Sequence, residues 1–148
     1  MPISPLAILL ILIGGAFLSI QAPLNTMLGR AVGSPVNAAF VSFVVGAAAL
    51  GCLALTMRVT PSLPAVRALP WWAWCGGFCG AFFVASAAYA APRLGVATML
   101  TLAVASQLLT AILIDQFGLL GVTARAMSPG RLAGALLVIV GAVLVRRG

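Results

Sequence analysis

Six side chains stand out from a largely apolar sequence: Gln21, Asn25, Trp74, Tyr89, Gln107 and Asp115. The amides of Gln21, Asn25 and Gln107 both donate and accept hydrogen bonds, so each can bind a polar group without carrying charge. Gly14, Leu18, Gln21 and Asn25 follow one another at spacings of four, three and four, which is one stripe of a helix. A stripe of that kind lines a cavity for something polar, or it bonds to neighbouring helices in a packed bundle. Pro23 sits between the two amides and removes a backbone hydrogen bond, which predicts a kink or break. Gln107 is the deepest amide of its own segment, with the same two readings, and is expected to share a cavity with Gln21 and Asn25. Tyr89 lies one turn from Ser86. Trp74 belongs with Trp71 and Trp72 to a cluster that fits an interfacial belt, or that stacks on an aromatic or cationic substrate.

Asp115 is the single carboxylate in the chain. Ion-coupled transport needs a group that changes charge inside the membrane, and no other side chain here does so at ordinary pH. It lies about nine residues past the centre of its helix, roughly 13 Å along the axis. Half a hydrocarbon core is about 15 Å. An interfacial ion pair with Arg125 or another nearby arginine is therefore the competing structural role. Catalysis has little to work with: the chain has no His, no Lys and no second carboxylate. The three cysteines, Cys52, Cys75 and Cys79, lie in apolar runs and read as packing residues rather than metal ligands, and no cofactor is expected.

The elements that must position these residues follow from composition. Hydrophobic residues make up 64% of the chain, charged ones 6%, and the mean hydropathy is +1.24. A soluble domain of this length needs more surface charge, so the chain is read as a single, all-α, polytopic membrane domain over 1–148. The first apolar run has no basic residue before it, and Gln21, Pro23 and Asn25 stand where small cleavage-site residues belong, so it is expected to remain in the mature protein. Eight arginines give a formal net charge of +7, but they are scattered singly between apolar runs, which suits loop anchoring and not nucleic-acid binding.

Five spans are expected, at about 5–25, 36–57, 70–91, 95–116 and 129–145. Gly29, Arg30, Gly33, Ser34 and Pro35 mark the first turn. Pro61 and Pro64 break the pattern after the second span, and Pro92, Arg93 and Gly95 make a very short turn after the third. An apolar linker at 117–128 precedes Ser128 as helix cap and Pro129 at the first helical position. Small residues recur at close-packing spacings: Ser42 with Gly46, Gly76 with Gly80, Gly130 with Gly134.

Gln21-Ala22 followed by Asn25, Leu28-Gly29-Arg30, Pro70-Trp71-Trp72-Ala73-Trp74, Ala91-Pro92-Arg93-Leu94-Gly95, Gln107-Leu108 and Ile114-Asp115-Gln116-Phe117-Gly118 come in a fairly specific order. In these residues the chain resembles the drug/metabolite transporter superfamily, and within it the small five-helix YdcZ-like bacterial inner-membrane proteins. Gln116 departs from the His of many relatives, so an Asp–His pair is not carried over. The resemblance implies a multi-pass inner-membrane transporter or exporter of small organic molecules, in which a five-helix unit is half of an inverted-repeat transporter formed by dimerisation. Smaller multidrug-resistance relatives use a carboxylate in the first helix; this chain has none there.

Five spans put Arg58, Arg67, Arg125 and Arg131 on one side and Arg30, Arg93, Arg146 and Arg147 on the other. Equal Lys/Arg counts remove the bias that orients membrane proteins. Dual topology and an antiparallel homodimer, working by alternating access on a small-molecule substrate in a lipid bilayer, are the resulting expectation. The alternative is a non-transporting membrane scaffold or accessory subunit.

Overall fold

The fold is described from a computed structural model covering residues 4–60 and 62–147. Every regular element among them is helical. The long helices are α1 (Pro5–Ala31), α2 (Pro35–Thr56), α4 (Gly76–Leu94), α5 (Val96–Phe117) and α6 (Pro129–Arg147). A short α3 (Leu63–Arg67) lies in the loop after α2, and 3₁₀ turns cover Trp71–Cys75 and Leu119–Gly121. Taking Trp71–Leu94 as one span, five helices among the described residues are long and apolar enough to cross a membrane.

Local chemistry explains where the helices begin. The Ser4 hydroxyl accepts the Ala7 N–H at 3.4 Å and the Ser34 hydroxyl accepts that of Asn37 at 3.0 Å, each followed by proline in the first turn. Ser128 does the same for the Arg131 N–H at 3.3 Å, with Pro129 next, as its sequence predicts. α5 ends at Gly118, whose φ of +59° is a left-handed cap; its N–H returns to the Ile114 carbonyl. A Cβ there would come within 3.2 Å of Ala124 and of the Val122 carbonyl, so the following loop could not fold back so closely.

Several boundaries differ from the sequence expectation. α1 runs unbroken through Pro23, Gly29 and Arg30 to Ala31. A proline forfeits one helical bond, whereas ending the helix exposes several carbonyls in a medium without water. The turn comes where geometry requires it: Val32 N–H closes on the Leu28 carbonyl at 2.9 Å, and Gly33 takes a φ of +83°. α4 likewise continues through Pro92 to Leu94, leaving Gly95, at φ +80°, as the joint to α5. The tryptophans form a 3₁₀ turn rather than the first turn of an α-helix. The loop after α2 holds α3, and the 117–128 linker holds a 3₁₀ turn, neither of which the sequence pattern predicted.

The chain forms two compact units, Met1–Arg93 and Leu94–Gly148. In the first, α1 packs on α2, and α4 meets α1 at Thr26 and α2 at Phe43. The Thr26 hydroxyl lies 3.0 Å from the Ala22 carbonyl and 3.4 Å from that of Ala88. Gly80 lets the Phe43 ring approach, since a Cβ there would lie 3.2 Å from the ring edge. In the second unit α5 packs on α6. Buried positions are mostly alanine: Ala22, Ala38, Ala39, Ala87, Ala88, Ala91, Ala135 and Ala142. Large apolar side chains lie outside, as at Leu12, Phe40, Leu55 and Leu137. Small residues inward and large ones outward is how helices pack when lipid is as apolar as leucine.

Candidate functional site

In the first unit the stripe on α1 leads to a polar seam with α2. Asn25 is buried, at 4% exposure, and its side-chain carbonyl accepts a hydrogen bond from the Ser42 hydroxyl. That bond joins α1 to α2 across the expected glue position. One turn earlier, Gln21 is half-buried and its amide has no hydrogen-bond partner among the described residues. It opens on two concavities. One, of about 480 Å³, runs along α1 past Gly14, Phe17 and Leu18. The other, of about 260 Å³, lies between α1 and α2, against Ser42, Phe43 and Gly46. The two amides thus differ: Asn25 is spent on packing, and Gln21 faces open space.

Thr26 ties α1 to α4 beside this seam. Pro92 has no N–H to give the Ala88 carbonyl four residues earlier, so that carbonyl is free. The Thr26 hydroxyl, on the next residue after Asn25, approaches it at 3.4 Å. The sequence reading did not single out Thr26, Phe17 or Phe43; the position of Pro92 was the available signal for the first.

Tyr89 lies toward the end of α4, exposed, with the Arg93 guanidinium 3.6 Å from its ring centroid. Arg93 also donates to the Tyr89 carbonyl at 2.5 Å, so Arg93 covers one face of the ring. Trp74 is exposed in the 3₁₀ turn before α4.

Gln107 and Asp115 belong to the second unit. Gln107 is exposed on α5, two turns before Asp115. Asp115 pairs with Arg131 of α6 at 3.2 Å, both side chains about one-third exposed. Arg125, the partner named first from sequence, meets Asp115 through its backbone: its N–H donates to the Asp115 carbonyl at 2.7 Å. The Met127 N–H donates to the Gln116 side chain at 2.6 Å, so the two residues at the end of α5 bind the loop. A groove of about 390 Å³ between α5 and α6 has this ion pair at its edge and Leu108, Ile112 and Val138 along its walls.

Comparison with known proteins then decides the family. Residues 6–144 match the model of a family described as "Putative inner membrane exporter, YdcZ". The chain belongs to this family. Over 82 residues it is 39% identical to the Inner membrane protein YdcZ of Escherichia coli (strain K12), a stretch covering 55% of this chain and 54% of that protein. The chain thus matches about half the length of this curated relative. No solved structure matches it. As a member of the YdcZ family it is a multi-pass protein of the bacterial inner membrane, and its five apolar spans accord with that placement. Within this family member, the arrangement at Gln21 can do non-covalent chemistry: donate and accept hydrogen bonds beside two phenylalanines, with no acid or base at hand.

Proposed function

We propose that this chain carries small organic molecules across the inner membrane by alternating access, as an antiparallel homodimer. The observation that carries the reading is Gln21. It lies three residues past the middle of a 27-residue span, about 5 Å along the axis, and its amide, unpartnered among the described residues, opens on two grooves. A protein with only packing to achieve gains nothing from an unbonded amide at that depth. Membership of a family described as an exporter supports transport, and the equal division of arginines between the two sides supports both orientations. Two opposed copies of a five-helix chain reproduce the inverted repeat on which alternating access is commonly built. Asp115, paired with Arg131 between two helices, is the group proposed to respond to the coupling ion.

The test is flux in proteoliposomes, inward and outward, across a panel of small organic cations, anions and neutral compounds, with and without a pH gradient. Saturable flux of one class, lost in Gln21→Leu, is the expected result. No flux of any class would favour the accessory-subunit reading, to which the closed Asn25–Ser42 bond also lends itself.

A further inference from the structure

We infer that the site at Gln21 selects uncharged molecules: a compact apolar or aromatic body bearing a hydrogen-bonding group such as an amide or hydroxyl. The inference rests on the transport reading and adds the substrate class.

The first unit contains no acidic residue, and its four arginines are Arg30, Arg58, Arg67 and Arg93. Arg30 is in the last turn of α1, Arg58 follows α2, Arg67 ends α3 and Arg93 is in the last turn of α4. The nearest along α1, Arg30, is nine residues from Gln21, about 14 Å of helix. The span holding Gln21 has no charged side chain nearer than that to neutralise a bound ion. The one acid of the chain is already held by Arg131 at 3.2 Å, so that pair brings no net charge to any site it approaches.

Phe17 and Phe43 flank Gln21 on its two sides, with Leu18, Leu24 and Leu50 beyond. A phenylalanine face attracts a cation, but that attraction is smaller than the cost of taking an unpaired ion out of water. The walls therefore favour a neutral body.

The Ser42 proton is committed to Asn25, so at the groove Ser42 offers oxygen lone pairs only. Gln21 offers two N–H donors and one carbonyl. Together they complement a group that both donates and accepts, as a neutral amide or hydroxyl does. A quaternary ammonium can satisfy none of these, and a carboxylate would face the Ser42 lone pairs without a proton to give.

The experiment uses the full chain with Cys52, Cys75 and Cys79 replaced by alanine and one new cysteine, Gly46→Cys, in the α1–α2 groove. A side chain at Gly46 meets nothing within 4 Å, so the substitution should be accommodated; Gly14→Cys, equally open, reports on the other groove. Modification by N-ethylmaleimide is followed in liposomes with benzamide, benzyltrimethylammonium or benzoate as the competing probe. Benzamide at about four times its dissociation constant should slow modification about fivefold. The two ions should not slow it, and Gln21→Leu should abolish the benzamide effect. Protection by either ion, no protection by benzamide, or no modification of either cysteine would overturn the inference. Flux of the same probes is measured in parallel. Benzamide protection without flux would keep the site's selectivity and remove transport; flux of a charged probe would keep transport and remove the selectivity.

Discussion

The Thr26 hydroxyl stands 3.4 Å from the Ala88 carbonyl, the acceptor that Pro92 leaves without its helical donor. A proline in one helix has thereby created the docking point for another. Thr26→Val should cost about 0.5–1.5 kcal/mol, the usual worth of an interhelical bond in a membrane protein. Thr26→Ser should cost less. Pro92→Ala returns an N–H to Ala88, so its combination with Thr26→Val should be less than additive in a double-mutant cycle read by reversible unfolding in bicelles.

Gln21 and Asn25 should separate when each is changed to leucine. Asn25→Leu deprives the Ser42 hydroxyl of its acceptor in a buried seam and should lower stability by about 1–2 kcal/mol. Gln21→Leu breaks no bond among the described residues and should leave stability within about 0.5 kcal/mol while abolishing flux. Unfolding and flux measured on both variants check the contrast.

At the other end of the chain, Asp115→Asn should reduce flux while the protein remains in the membrane. Its cost in stability should be about 0.5–1 kcal/mol, since the Arg131 pair is one-third exposed. Arg131→Gln should mimic it, and the double variant should add little. Arg125→Ala should have almost no effect, because Arg125 meets Asp115 through a backbone N–H that alanine retains.

Gly80 and Gly76 are four apart on α4 but sit in different surroundings. Gly80→Leu drives a side chain into the Phe43 ring and should cost about 1–3 kcal/mol. A Cβ at Gly76 meets nothing within 4 Å, and Gly76→Ala should be neutral or slightly stabilising.

Orientation is tested by paired C-terminal reporters, one active only in the cytoplasm and one only outside. Equal arginine counts predict signal from both at equal expression. Two lysines added at the C-terminus should shift the ratio strongly toward the cytoplasmic reporter. Signal from one reporter alone would rule out the antiparallel pair.

Sequence alone determined the class and the count of spans, because a bilayer demands about 20 apolar residues per helix and the chain has five such runs. It also determined the caps at Ser128 and Pro129, which are local chemistry. It placed Gln21 and Asn25 on one stripe but could not divide their roles. Which amide is spent on packing depends on whether a hydroxyl from another helix reaches it, and Ser42 reaches Asn25 while Gln21 has no bonded partner among the described residues. The same holds for Asp115: the sequence left its partner open between Arg125 and another nearby arginine, and folding α6 onto α5 brought Arg131 to the carboxylate. Pro23 read as a kink or break and Pro92 as part of a turn, yet both helices continue past them, because a medium without water penalises a terminated helix more than a single missing bond. Only the tertiary structure shows what becomes of the carbonyl freed by Pro92, since its partner, Thr26, lies 62 residues away in the chain.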